Sequence, residues 1–117
     1  MYLEKVNSKI IDGINVDIKE DDDIYIYKND NAEIVGISVI SNGNENVFRF
    51  YILDKYQGNG YGKRLVDASL KMLKNNGYKE IYFVLHRSNI KAIKIISSLG
   101  GKHLSNIEDL CRYVIYL

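Results

Sequence analysis

The sequence predicts an α+β fold: one domain, residues 1–117, with a mixed, mostly antiparallel central sheet flanked by helices. Three observations predict it. Short β-rich segments alternate with Asn/Asp/Gly turns from Ile24 to Leu53. The apolar period then lengthens from strand-like to helix-like after residue 62. Beyond that point strand and helix patterns alternate to the C-terminus.

Taken in order, Tyr2 to Val6 is a candidate strand, and Ser8 to Ile18 reads as a short helix or an irregular cover. Ile24 to Tyr27 starts the β-rich region, and Lys28-Asn29-Asp30-Asn31 supplies turn chemistry. Ile34 to Ile40 is the return strand, Asn42-Gly43-Asn44 a second turn, and Val47 to Leu53 a third strand, together an antiparallel meander. Leu65, Val66, Ser69, Met72 and Leu73 then share one helical face, with Lys63, Asp67, Lys71 and Lys74 facing away. Gly77 stands where a helix C-terminus favours a left-handed residue. Ile81 to Leu85 is an apolar run suited to a strand buried on both faces. Ser88 or Asn89 is positioned to cap a second helix that buries Ile90, Ile93, Ile96 and Leu99 and stops at Gly100-Gly101. Val114 to Tyr116 belong to a closing strand.

Composition narrows the function classes. Hydrophobic residues make up 46% and charged residues 26%, a globular balance. A formal net charge of +1 supplies no field to gather nucleic acid, and no apolar run has membrane-spanning length, so neither partner is expected. The single Cys111 excludes an internal disulfide and a cysteine-rich zinc site, and suits a reducing cytoplasm. The opening MYLEKVNSKI lacks the apolar centre of a signal peptide.

The stretch YQGNGYGKR, Tyr56 to Arg64, places glycines at 58, 60 and 62 between a strand and a helix. Glycines there let several N–H groups converge on an anion, and the helix dipole adds favourable potential. Close packing of a tight turn is the competing explanation. A P-loop does not fit: the spacing to Gly62-Lys63 is one residue short, and Arg64 stands where Ser or Thr is needed. A dinucleotide fingerprint does not fit either, because the spacing is G-x-G-x-G after an antiparallel meander. Gln57-Gly58-Asn59-Gly60-Tyr61-Gly62 matches Q-x-x-G-x-G instead. With His86 to Ala92 and Leu99-Gly100-Gly101, it makes residues 24 to 117 resemble the GNAT N-acetyltransferase superfamily.

That resemblance implies an enzyme that moves an acetyl group from acetyl-CoA directly to a primary amine, with no metal. Gln57, Gly58, Asn59, Gly60, Tyr61, Gly62 and Lys63 would hold the pyrophosphate, Ile52, Leu53 and Asp54 would pair with the pantetheine amides, and Asn89 would bind the pantetheine arm or cap its helix. The departures concern proton transfer. Ile96 stands where the family carries its tyrosine acid, and Val84 and Asn46 (beside Glu45) where subgroups carry a glutamate base. His86, Tyr51 and Tyr113 remain as catalytic candidates, each with an ordinary structural role as the alternative. The N-terminal region is short for the family, which leaves the acceptor groove open or completed by a second subunit in a homodimer. The alternative function is a weak or inactive acyl-CoA-binding module of the same fold.

Overall fold

The computed structural model describes residues 1–7 and 16–117. Its elements are β1 (Tyr2–Val6), β2 (Asp23–Lys28), β3 (Ile34–Ser41), β4 (Val47–Ile52), α1 (Tyr61–Asn75), β5 (Glu80–His86), α2 (Ile90–Ser98), β6 (Lys102–Ile107) and β7 (Leu110–Tyr116). The strands form one sheet in the order β1-β2-β3-β4-β5-β7-β6. Every neighbouring pair is antiparallel except β4 with β5. The expected helix or cover at Ser8 to Ile18 lies largely outside the described residues; 16 to 18 carry no regular structure.

Both helices lie on one face of the sheet. Val66, Leu70 and Leu73 of α1 and Ile96 of α2 share a core with Ile40, Phe48, Ile81, Phe83 and Ile115. Further along the same face, Leu65 packs with Tyr27 and Val35. Leu70, which the helical pattern did not single out, is buried there as well. On the opposite face Ile26, Ile37 and Val39 are covered by Val6, Val16 and Ile18. A buried polar link joins the layers: Ser69 donates to the Leu65 carbonyl at 2.7 Å, so its oxygen accepts the proton of Ser38, also 2.7 Å away.

Each helix ends as its glycine requires. Gly77 (φ +92°) follows α1, and the N–H groups of Tyr78 and Gly77 return to the carbonyls of Leu73 and Lys74. After α2, Gly100 (φ +95°) and Gly101 do the same toward Ser97 and Ile96. These are paired Schellman bonds, which satisfy carbonyls the helix leaves open.

Three expectations are corrected. β5 is central in the sheet but one-sided in burial: Ile81 and Phe83 are buried under the helices, whereas Val84 on the other face is 40% exposed. Ile90 is exposed as well. The buried stripe of α2 runs through Ala92 and Ile96, and Ile90 projects about 200° around the axis from Ala92. Finally, β6 has no counterpart in the sequence reading. KHLSNI is polar and mostly exposed because an edge strand takes its pairing from its neighbour rather than from a hydrophobic face. The charged pair Glu108-Asp109 is the tip of the β6–β7 hairpin, with Glu108 at φ +54°.

Gly36 sets how closely β3 approaches β4: a Cβ there would stand 2.4 Å from the Tyr51 carbonyl oxygen and 3.3 Å from the Ile52 Cα. Gly36→Ala should therefore cost about 1–3 kcal/mol by overpacking. Gly43→Ala, whose nearest neighbour is 3.9 Å away, should stay within about 0.5 kcal/mol. Thermal melts of both variants check this, and equal midpoints would show that the β3–β4 contact relaxes without cost.

Candidate active site

Parallel pairing between β4 and β5 is confined to Val47 with Tyr82, where the Tyr82 N–H donates to the Asn46 carbonyl at 2.9 Å. Beyond that point the strands part. Strand parity decides which backbone groups are left over. Leu53 donates its N–H to Val35 at 2.9 Å, so odd-numbered residues of this strand face β3. The parallel bridge takes up the Asn46 carbonyl and the Phe48 N–H, and Gln57 takes up the Ile52 carbonyl, so the Phe48 carbonyl, both backbone groups of Phe50 and the Ile52 N–H face the gap. Phe48 and Phe83 stand where the strands separate, ring centroids 5.4 Å apart. The result is a cleft of about 600 Å³.

The glycine loop closes one end of the cleft. After β4 a 3₁₀ turn, Asp54–Tyr56, leads into it. The Gln57 amide donates to the Ile52 carbonyl (3.1 Å) and to Asp54 Oδ1 (3.3 Å), and the Asn59 amide donates to the carbonyls of Tyr56 and Gln57 (3.4 and 3.3 Å). Side-chain amides thus occupy the loop's carbonyls. Its N–H groups are left: among the described residues, those from Gly58 to Lys63 meet no protein acceptor, and the first helical bond runs from Arg64 to Gly60 at 3.4 Å. Such a series of free N–H groups at a helix start is an anion-binding concavity.

The three glycines do different jobs. Gly58 (φ +82°) and Gly60 (φ +79°) hold left-handed conformations, and a Cβ on either would meet nothing within 4 Å. Backbone conformation requires them, rather than close packing. Gly62 is the opposite case: its Cβ would stand 3.1 Å from Ile95 Cδ1 and 3.8 Å from Phe50 Cε2, so its absence lets α1 approach α2 and β4. The first turn of α1 carries Lys63 and Arg64 and no acid. That is the wrong sign for a helix N-terminus unless an anion joins it. Arg64 turns aside over the Tyr61 ring (5.7 Å). Nearby, burial pushes the Tyr27 hydroxyl above its ordinary pKa, with the Arg64 charge opposing.

The facing wall comes from β5 and α2. Asn89 caps α2, its Oδ1 accepting from the Ala92 N–H at 3.3 Å, and it also lines the cleft. His86 lies at the end of β5. The Ser88 N–H donates to its Nδ1 (3.2 Å), and the Ser88 hydroxyl is 2.6 Å from the same atom. A backbone N–H can only donate, so Nδ1 is the acceptor and the neutral ring carries its proton on Nε2.

Ile52, Gln57, Gly58, Gly60, Tyr61, Gly62, Lys63, Asn89, His86 and Tyr51 therefore line one cleft. Leu53, Asp54, Asn59 and Tyr113 do not. Leu53 spends its N–H on β3, Asp54 and Asn59 brace the loop, and Tyr113 packs edge-on against His103 at 5.3 Å on β7. Ile96 is fully buried in the helix-face core and does not reach the cleft. Glu45 is held by Arg112 (2.7 and 2.8 Å). Arg49, Lys91 and Lys94 are wall residues that the sequence reading passed over. For the lysines a signal existed: they fall two and five residues after Asn89, on the same helix start that was expected at the site. For Arg49 there was none, because which face of β4 meets the gap is a property of the sheet.

The comparisons bear on this geometry. The description "Acetyltransferase (GNAT) family" matches residues 4–100. No curated protein matches the sequence. Among solved structures, a domain from Methanocaldococcus jannaschii shares 28% identity, with a TM-score of 0.72 over 85% of this chain and 69% of that one. Spermidine N-acetyltransferase from Vibrio cholerae, in a dodecameric structure, shares 16% identity and the fold, with a TM-score of 0.76 over 82% of this chain. This chain spans 65% of that protein's length. The same Vibrio protein in complex with CoA and spermine gives 17% identity and a TM-score of 0.76 over 82% of this chain and 66% of that one. With its glycine loop, parted strands and matched 97-residue span, the chain belongs to the GNAT acetyltransferase family.

Proposed function

We propose that residues 1–117 act as one acetyl-CoA-dependent N-acetyltransferase domain that transfers an acetyl group directly to a primary amine in the cytoplasm. The observation that carries this reading is continuity. The free edge of β4, from the Phe48 carbonyl through Phe50 to the Ile52 N–H, runs into the N–H series from Gly58 to Lys63, which is unpaired among the described residues. A strand edge accepts an extended amide chain, and a helix start accepts a diphosphate. These are the two parts of a pantetheine pyrophosphate, in the same order. Lys63, Lys91 and Lys94 add cationic charge along that path. The lone, buried, free Cys111 is in keeping with a reducing compartment.

When bound, acetyl-CoA supplies an acyl group already activated as a thioester. The chain's own task is to position two reactants and to exclude alternatives, and positioning is worth up to about 7–11 kcal/mol. N–H groups of the β4 edge are donors for the acyl and pantetheine carbonyls. His86 faces the cleft as an Nε2–H donor, which suits a hydrogen bond to a carbonyl and not proton removal from an amine. Tyr51, Tyr56 and Tyr61 bring phenol groups to the cleft wall, and Tyr51 is the one carried by β4 beside the gap. A second reading, a binding module with little turnover, is favoured by one observation: Ile96, aligned with that acid, is a core residue. Calorimetry with acetyl-CoA, followed by a thiol-release assay over an amine panel, separates the two. Binding with turnover supports the enzyme, and binding without turnover supports the module.

Gly60→Glu should abolish acetyl-CoA binding while the fold survives. The left-handed backbone strains any side chain there by about 1–2 kcal/mol, and the carboxylate adds like charge where the N–H groups converge. Open space around the position keeps the cost local. Unchanged affinity in a folded variant would place the cofactor elsewhere.

Asn89→Asp retains a good N-cap but replaces an amide donor with an anion. Melting temperature should change little and acetyl-CoA affinity should fall about tenfold, roughly one neutral hydrogen bond. A lower melting temperature with unchanged affinity would assign Asn89 to capping alone.

Ile96→Tyr should lower stability by about 1–3 kcal/mol without raising kcat, because the hydroxyl would enter a filled core. A rise in kcat would show that α2 presents this position to the thioester.

A further inference from the structure

Resting on the reading above, we propose that the acceptor is an amine that also bears a carboxylate, such as an amino acid or an acidic peptide N-terminus, and that Arg49 holds that carboxylate. The cleft opens on two faces of the sheet. Phe48 and Phe50 point toward the helices, whereas Arg49 and Tyr51 point to the opposite face of the sheet, as strand alternation demands. On that opposite face β5 contributes Val84, which is open to solvent and also lines the cleft. An acceptor approaching the β4–β5 gap from this side meets Tyr51, Val84 and the Arg49 guanidinium.

Arg49 is prepared for a second anion. Its side chain is 28% exposed, and among the described residues its hydrogen bond runs from Nη2 to Asp22 Oδ2 at 3.2 Å. Asp22 is itself 3% exposed and also accepts the Lys19 N–H at 2.9 Å, so it orients the guanidinium from behind. A guanidinium has five N–H donors in a planar fork that matches a carboxylate. Among the described residues the other donors of this fork meet no acceptor, and Arg49 lines the cleft.

The charges around the cleft point the same way. Its ionic wall residues are Arg49, Lys63, Lys91 and Lys94; among the described residues none of the wall is a carboxylate. The carboxylates beside it on the open face, Asp22 and Glu45, are each held by an arginine. Lys63, Lys91 and Lys94 lie on the helix side, along the diphosphate path, so on the acceptor's face the charged wall residue is Arg49, and a polyamine would bring two or more ammonium groups to it with no wall carboxylate to receive them. An amino carboxylate brings one anion to Arg49 and one amine to the gap. In the transfer the acceptor nitrogen forms the new C–N bond as the C–S bond breaks, and the proton it sheds goes to the departing thiolate, directly or through water.

The test measures kcat/KM by thiol release for five acceptors: a free apolar amino acid and its carboxamide, a C-terminally amidated dipeptide with aspartate in second place and its asparagine counterpart, and spermidine. The wild-type chain should prefer each carboxylate form over its amide at least about tenfold, chiefly through KM, and should use spermidine least. The pair showing the larger ratio tells whether the carboxylate belongs on the amine-bearing carbon or one residue on. In Arg49→Gln that ratio should collapse toward one. Because this change orphans the buried Asp22, the double variant Arg49→Gln/Asp22→Asn, with its melting temperature, removes that fault and should show the same collapse. Spermidine as the best acceptor, or equal loss on acid and amide in the double variant, overturns the proposal. Calorimetry with acetyl-CoA on the same samples sorts the failures: intact binding with no carboxylate preference rejects this inference alone, whereas no binding rejects the acetyltransferase reading beneath it.

Discussion

The parting of β4 and β5 after a single paired position, Val47 with Tyr82, is the constraint on which the rest depends. A sheet normally satisfies each strand edge with its neighbour, and interior edges left open are costly unless solvent or a ligand completes them. Here the open edge lies between two central strands, which the Phe48–Phe83 contact joins at the paired end and the helices cover on one face. Because α1 connects the two strands, its N-terminus falls at the mouth of the opening. The free edge and the helix start are consequences of one connection, and they are aligned by it.

The glycine loop shows local rules broken together for a common reason. Two left-handed glycines with open space beside them, a first helical turn with Lys63 and Arg64, and a row of N–H groups without acceptors would each weaken an isolated helix. All three become favourable when an anion is present. Gly62 stands apart from this group. Its role is steric, letting α1 rest against Ile95 and Phe50, and through them it couples the loop to both walls of the cleft.

Proton handling is set by packing as much as by chemistry. Ile96 belongs to the core under Gly101, whose missing Cβ leaves it room: a Cβ there would stand 2.5 Å from Ile96 Cγ2. His86 is oriented by Ser88 so that its neutral form donates into the cleft. The short turn from His86 to Asn89 thus fixes both a ring tautomer and a helix cap. Its backbone bond from the Asn89 N–H to the His86 carbonyl, 2.9 Å, ties the two together.

By itself the sequence determined the three-stranded meander, both helices, their glycine stops and the loop at Gln57 to Gly62, because these rest on local signals: turn residues, periodicity and the φ that only glycine adopts freely. It was silent or misleading where a neighbour decides. The polar edge strand Lys102–Ile107 exists because β7 offers it hydrogen bonds, and its own pattern carries no period to read. Val84 is exposed within an apolar run because one face of the sheet beside the cleft is left uncovered. Leu53 lost its expected place on the free edge, and Phe50 with the Phe48 carbonyl gained it, through a parity set by the Val35 carbonyl on the adjacent strand. Arg49 came to the cleft for the same reason: strand alternation says that its side chain opposes Phe48 and Phe50. Only the assembled sheet decides which of those two directions looks onto the gap.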